Sequence, residues 1–381
     1  MIRLPAAVRI AIFLAISVSI VLYSHVADSE AIRSICADTE WNPALVFTCS
    51  ESVGGIGNIR NSILNCVRFA ISAGAALVEP AIVLRNDADS AEIRTSVKTD
   101  MGYMLDPAHF RESLRISCPG KKVYDWIEEL KGKLFHDQIA LLPESLEEKV
   151  PSTGLAAQRS GGNLLKPGSA STSSLHQREP NGANFALAFG KLLKFRADTR
   201  ILATKTLLAL AANASYSPNL SQPILPDFFF GAHLRTEHDA QLGWPAEDWV
   251  YSRYETQAKF YLKGTLASGL KREEVAKFAQ EAAEKNITVS TKIGVLGAED
   301  VAQLEALSWD QQGMVDFLVM LGASRFAGVG HSSFAWNVAL VRHLFAQQKD
   351  HLKGPHLLND ELSEVYGYPK QYPEYASCLW P

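Results

Sequence analysis

Residues 44–84 read ALVFTCSESVGGIGNIRNSILNCVRFAISAGAALVEPAIVL. The run 44–49 is short and apolar with β-branched and aromatic members, which is the composition of a buried strand. It leads through Gly54, Gly55 and Gly57 into a stretch where Ile63, Leu64, Val67, Ala70 and Ile71 recur at helical spacing, so one face is built for packing. A second apolar run, 75–84, follows almost at once. Strand, glycine turn, helix and strand in that order predict a parallel sheet with helices on its faces.

The second half of the chain repeats the pattern. Residues 227–234, DFFFGAHL, read as a buried strand, 252–266 as a helix, 271–285 as a charged amphipathic helix, 287–290 as a short strand and 310–321 as a helix. Residues 326–330 then lead to a turn at His331, after which Ser332 or Ser333 caps a helix running through Trp336, Val338, Leu340 and Leu344. Between the halves, 143–184 is rich in Ser, Gly, Pro and charge and reads as a flexible surface insertion. The expected architecture is α/β, with an N-terminal lobe over 28–212 and a C-terminal lobe over 213–381 around a cleft. One strand is expected to be missing. Between the helices at 252–266 and 271–285 the chain offers only GTLASG, 264–269, where an alternating fold needs an apolar strand.

Bulk composition narrows the partners. The 381 residues are 47% hydrophobic, enough for a globular core, and carry a formal net charge of -4. With no basic excess, nucleic acid is excluded as a general partner, although a local basic pocket for a phosphorylated small molecule is not. Residues 10–23, IAIFLAISVSIVLY, follow Arg3 and Arg9 and precede Asp28. They read as a signal anchor in residues 1–27, which would fix a single-pass type II protein in the endoplasmic reticulum or Golgi membrane with its bulk in the lumen. The other reading, a cleaved signal peptide and a secreted protein, fits poorly with Tyr23 and His25 before a cut at Ala27. Sequons at Asn213, Asn219 and Asn286 agree with a lumenal body. Of five cysteines, Cys66 falls on the apolar helix face and reads as a buried free thiol, leaving Cys36, Cys49, Cys118 and Cys378 for two bridges of open connectivity.

Three places carry chemistry. Arg235 stands at the carboxyl end of the 227–234 strand, where open α/β sheets bind ligands, with His233 two residues earlier on the same face. Its planar guanidinium suits a leaving phosphate that gains charge; the plainer reading is an ion pair with Glu237 or Asp239 at the surface. Ser332, Ser333 and Phe334 enter a helix whose backbone N–H groups can bind phosphate, the plainer reading being an ordinary N-cap. The glycine turn before Asn58 lets backbone approach a ligand, with Asn58 in reach of a sugar hydroxyl, or is simply a tight connection. A metal-dependent transferase would instead use Asp87 and Asp89, and no other feature of the sequence calls for a metal or cofactor.

Five segments together resemble one family, the GDP-fucose protein O-fucosyltransferases. GGIGNIRNSILNCVRFA from Gly54 is similar to the family's N-terminal signature, and LDPAHF from Leu105 resembles the element that follows it. GAHLRTEHD resembles the His-x-Arg strand end and VGHSSFAW the C-terminal Ser/Thr-Ser/Thr-Phe turn, while WDQQGMVDF from Trp309 is similar to fungal members. The resemblance implies two Rossmann-like lobes of the GT-B type and inverting, metal-free transfer from GDP-fucose to a hydroxyl on a protein or glycan. Arg235 would hold the departing phosphate, His233 and Asp239 would line the nucleotide side, Ser332, Ser333 and Phe334 would contact phosphate and base, and Asn58 would meet the fucose. Glu51 and Glu237 stand near the right motifs for a base, though neither spacing identifies one. A non-catalytic lumenal binding protein of the same fold is the alternative that the expected missing strand favours.

Overall fold

The computed structural model describes residues 29–49, 51–86, 92, 95, 97–130, 188–219, 221–237, 246–262, 267–268, 272–347 and 358–367. The expected anchor at 10–23, the whole insertion at 143–184, Asp87, Asp89, Asp239 and Cys378 lie outside them.

The first part of the chain contains helix α1 (Ser29–Ala37), strand β1 (Val46–Phe47), α2 (Ile56–Ser72), β2 (Ala76–Val78), β3 (Ile82–Val83), β4 (Lys98–Thr99), α3 (Pro107–Ser117) and β5 (Val123–Tyr124). Strands β1, β2 and β5 form a parallel sheet in that order, and β3 pairs antiparallel with β4. The second part contains α4 (Ala197–Asn213), β6 (Phe230–His233), α5 (Tyr254–Tyr261), β7 (Ala267–Ser268), α6 (Arg272–Ala283), α7 (Lys292–Val295), α8 (Ala298–Glu305), α9 (Trp309–Leu321), β8 (Arg325–Val329), α10 (Ser333–His343), β9 (Leu358–Asn359) and β10 (Ser363–Tyr366). Its sheet has the order β7-β6-β8-β10-β9, parallel except for β9. The fold is mixed α/β with open, largely parallel sheets.

Several elements differ from the sequence expectation for local reasons. The apolar run 75–84 gives two strands, broken at Pro80, which has no N–H for a ladder. The 227–234 strand begins only at Phe230, because Asp227 is left-handed with φ 53° and turns the chain. The expected strand at 287–290 makes no ladder. There Asn286, at φ 60°, ends α6 in a Schellman turn, its N–H on the Ala283 carbonyl and that of Ile287 on Ala282. The strand expected to be missing is present as β7, with Ala267 opposite Ala232 and Ser268 opposite His233. An edge strand this short is held by backbone bonds, so Ala and Ser suffice and no apolar pattern marks it. Cys66 is not a free thiol: it pairs with Cys49, and Cys36 pairs with Cys118. The first bridge fastens the segment before the glycine turn to the helix after it.

The main apolar core draws on elements of both parts, with Ile63 and Leu64 of α2, Phe110 of α3, Phe317 of α9 and Trp336 and Val338 of α10 all buried in one cluster. Sequence also places LDPAHF structurally. Asp106 caps α3 by accepting from the His109 N–H, Pro107 occupies the first turn, and Phe110 enters this core.

Helix α10 is anchored at its far end by Arg342, which is fully buried. Its Nη1 donates to the carbonyls of Met320 (3.3 Å), Leu321 (2.8 Å) and Ala323 (2.6 Å), its Nη2 to Ser324 (3.4 Å) and Leu362 (2.7 Å), and its Nε to Ser363 Oγ (3.0 Å). The last carbonyls of α9 and the turns into β8 and β10 thus share one cation. Burial pushes the Arg342 pKa down to about 9, still well above neutrality. We predict that Arg342→Met lowers stability by about 3–5 kcal/mol, the usual consequence of removing one side of a buried charge network. Arg342→Lys should recover only part of this, because one ammonium cannot span the same acceptors. Urea unfolding of the three proteins measures the difference; a loss below about 1 kcal/mol for Arg342→Met would show that the network is dispensable.

Candidate functional site

The second sheet has a point where consecutive connections leave in opposite directions. From β6 the chain passes to β7 on one side, whereas from β8 it passes through α10 to β10 on the other. In open α/β sheets the crevice outside the carboxyl ends of two such strands is where ligands bind. Here that crevice receives His233 and Arg235 from the end of β6 and Ser332 to Phe334 from the turn after β8.

Ser332 caps α10, its Oγ accepting from the Ala335 N–H at 3.4 Å, and the same Oγ lies 3.3 Å from His233 Nε2. The His233 ring stacks on Phe334, centroids 4.2 Å apart, and Phe334 meets Phe317 edge-on at 5.4 Å. The aromatic thus braces the histidine and joins the core edge. Tyr261 donates its hydroxyl proton to the His233 carbonyl at 2.9 Å. Burial, with the Arg235 charge adding to it, pushes the His233 pKa down to about 3. The imidazole is therefore neutral at ordinary pH and offers a single N–H.

Helix α2 meets the same place from the first sheet. Gly54 has φ 100°, a left-handed turn that favours glycine, and N-cap Gly55 provides no side-chain acceptor for the first turn. A Cβ on Gly57 would lie 2.5 Å from the Ser333 carbonyl oxygen and 2.8 Å from Asn337 Nδ2, so only glycine lets α2 come this close to α10. Two helix N-termini are thereby held side by side, and Asn58 is exposed on the first turn of α2. Asn337, fully buried, joins them: its Nδ2 donates to the Ser333 carbonyl at 2.7 Å and its Oδ1 accepts from Arg60 Nη1 at 3.3 Å. Arg60 also donates to the Gly190 carbonyl, and burial lowers its pKa to about 10. Arg85 adds a third guanidinium nearby, stacked 4.7 Å from the Trp309 ring centroid and 3.7 Å from Asp310. Its Nη2 is 3.7 Å from where a Gly55 Cβ would stand.

Arg235 is fixed from three directions. Gln257, fully buried in α5, accepts from the Arg235 N–H at 2.8 Å and donates to the Arg235 carbonyl at 2.7 Å. Thr236 next to it donates to Glu274. The Arg235 guanidinium donates through Nη1 to Glu237 Oε2 at 2.5 Å. The ion pair expected as the plainer reading therefore exists, but with side chains only 18% and 7% exposed it is no surface pair. Glu51, by contrast, pairs with Lys98 in a well-exposed contact.

The structure thus brings His233 against Ser332 and Phe334 and the glycine turn before Asn58 against Ser333, with Arg235 two residues beyond His233 and its charge felt there, while Asp239 lies outside the described residues. The sequence reading missed Arg60, Arg85, Gln257 and Asn337. A buried arginine or glutamine on a helix looks in sequence like one on a solvated face, and only the contact partner distinguishes them. Among the described residues no group of His, Cys, Asp and Glu could hold a metal ion, and no helix is long and apolar enough to cross a membrane.

The neutral His233 makes a pH prediction. The unfolded chain takes up a proton there below about pH 6.5, the folded chain only near 3. Its contribution to stability is therefore fully present above about 6.5 and lost as pH falls toward 3. Between pH 7.5 and 5.5 this amounts to about 1.4 kcal/mol, which His233→Gln should remove from the pH slope of unfolding. An unchanged slope in the variant would place the histidine in contact with solvent.

No protein-family model matches this chain, and comparison with curated proteins yields no match.

Proposed function

We propose that this crevice binds the diphosphate of a nucleotide sugar and that the protein is an inverting glycosyltransferase, with GDP-fucose as donor and a hydroxyl on a protein or glycan as acceptor. The observation that carries the proposal is the convergence of two helix N-termini at the switch point of the second sheet, one of them in contact with His233, two residues before Arg235. Both helices point partial positive charge and backbone N–H groups at one place, and a diphosphate satisfies them without a protein carboxylate. Arg60 and Arg85 add positive charge around the turn. A leaving diphosphate gains negative charge as the glycosidic bond breaks, so fixed donors of this kind favour the transition state over the ground state.

On this reading the two parallel sheets are the cores of two Rossmann-like lobes of the GT-B type, the α2 turn belonging to one and β6 with α10 to the other. Asn58, exposed at the start of α2, is in place for a sugar hydroxyl. Choice of guanine and fucose rests on the resemblance of the five segments to the O-fucosyltransferase family. A secretory compartment is supported by the two disulfides, which persist in oxidising surroundings, and by the exposure of Asn213, Asn219 and Asn286. A membrane anchor at 10–23 is part of the same proposal. β7, although short, supplies the strand whose expected loss spoke for a non-catalytic protein.

Arg235→Ala and Arg235→Lys should each lower GDP-fucose turnover by about 10² to 10³, roughly 2.7 to 4 kcal/mol, in a protein that still folds. Lysine fails because it lacks the planar fork. Unchanged GDP affinity and unchanged turnover in Arg235→Ala, measured by calorimetry and by release of GDP, would refute the assignment. Since the charge-stabilising groups proposed are guanidinium and backbone N–H, turnover should also survive a chelator. Loss of turnover in EDTA, restored by manganese, would favour a metal-dependent transferase using Asp87 and Asp89.

A further inference from the structure

Resting on the donor site proposed above, we infer that Glu237 is the proton acceptor for the attacking hydroxyl, held in place by the same arginine that holds the leaving phosphate. Glu237 is 6% exposed, and its two carboxylate oxygens differ in circumstance. Oε2 accepts from Arg235 Nη1 at 2.5 Å, while Oε1 is buried with no hydrogen-bond partner among the described residues. A buried charged oxygen without a partner costs on the order of 1–3 kcal/mol or more, and chains keep such groups where a partner arrives in the working state. An acceptor hydroxyl is a donor of the kind Oε1 lacks.

The spacing suits inversion. A guanidinium carries five N–H donors, and Nη1 is committed to Glu237. With a phosphate oxygen on an N–H that points away from Glu237, the two bound oxygens stand roughly 6–7 Å apart, two hydrogen bonds and the width of the group. Inverting glycosidases leave about 6.5–9.5 Å between the carboxyl groups that flank the anomeric carbon, because the nucleophile must fit between the base and the sugar. Glu237 and the leaving phosphate would therefore flank a sugar at a comparable separation, with Arg235 setting it. Glu51, the other carboxylate near a motif, is taken by Lys98 in an exposed pair.

The step balances without a further reagent. The acceptor oxygen forms a bond to the anomeric carbon as the bond from that carbon to the diphosphate breaks, its electron pair going to the departing phosphate beside Arg235. The hydroxyl proton passes to Glu237 Oε1 and leaves to solvent after product release. Gln257, which holds the N–H and carbonyl of Arg235, and Thr236 between the two residues, whose hydroxyl donates to Glu274, steady the segment from which the pair projects.

The test uses the full-length protein, GDP for binding, and GDP-fucose with water or azide as nucleophile. Glu237→Gln keeps an oxygen for Arg235 but cannot take a proton, so GDP affinity should stay within a few-fold while hydrolysis falls about 10²- to 10⁴-fold. Azide needs no deprotonation, so it should restore turnover in this variant and give the glycosyl azide of inverted configuration. Glu237→Asp, which keeps a carboxylate, should retain more hydrolysis than Glu237→Gln at equal melting temperature, and it carries the comparison should Glu237→Gln fold poorly. Full hydrolysis by Glu237→Gln, or loss of GDP binding with no rescue by azide, would overturn this inference while leaving the donor site standing. Wild-type protein that neither binds GDP nor releases it from GDP-fucose would remove both.

Discussion

Helix α10 is held at its C-terminal end by one buried arginine, and the place of its N-terminus depends on that hold. Arg342, one residue before the helix ends, ties the last carbonyls of α9 and the entries to β8 and β10 to a single buried guanidinium. The helix is 11 residues long, about 16 Å, so its two ends serve separate tasks. At one end a cation is saturated by carbonyl dipoles; at the other, the first N–H groups stand where the proposed diphosphate would bind. Because Gly57 packs against the Ser333 carbonyl, the position of α10 also fixes the approach of α2. Loosening Arg342 would therefore disturb the pocket in both sheets even though it lies far from the chemistry.

The electrostatics around α2 and α10 are lopsided in a way that packing alone does not require. Arg60 is buried against carbonyl and amide oxygens, and burial is the cause of its lowered pKa. His233 is held neutral and so cannot serve as an anion's counter-charge. Among the described residues a negative group beside Arg235 is Glu237, whose Oε1 has no hydrogen-bond partner there. Positive groups that outlast burial, with helix N-termini beside them, agree with the diphosphate site proposed here. The polarity of both helices and the identity of the charged groups agree, although they come from segments far apart in sequence.

Much of this was legible beforehand, and the limits follow from physics. Periodicity found α2, α9 and α10 because a helix packed on one face repeats its apolar residues every third or fourth position. The Ser332 cap was legible because it is local, a hydroxyl reaching its own helix three residues on. Strand length was less so: Asp227 and Pro80 cut the apolar runs through backbone torsion and a missing N–H rather than through hydrophobicity. β7 was invisible because Ala267 and Ser268 contribute backbone and nothing else. Cys66 was misread because a bridge partner and a core thiol occupy the same helix face, and the choice depends on where Cys49 lies in space. Arg60 with Asn337 illustrates the general case, a pair 277 residues apart whose meaning exists only once the two helices touch.

The clearest instance of a residue whose role sequence cannot disclose is Gln257. A strand end that projects into a crevice outruns its neighbours, and its backbone groups then need partners other than a ladder. At Arg235 the Gln257 amide supplies both, an acceptor for the N–H and a donor for the carbonyl, where a longer neighbouring strand would otherwise have to bond them. Its Nε2 also donates to the Tyr251 carbonyl at 2.7 Å, so the turn before α5 is held by the same amide. A leucine of similar size would leave the N–H and carbonyl of Arg235 buried and unsatisfied, at about 1–3 kcal/mol each. The sheet would then recover those bonds only by letting Arg235 swing toward water, away from Glu237 and the two helix ends. The geometry that makes Arg235 useful is therefore a property of α5 as much as of β6.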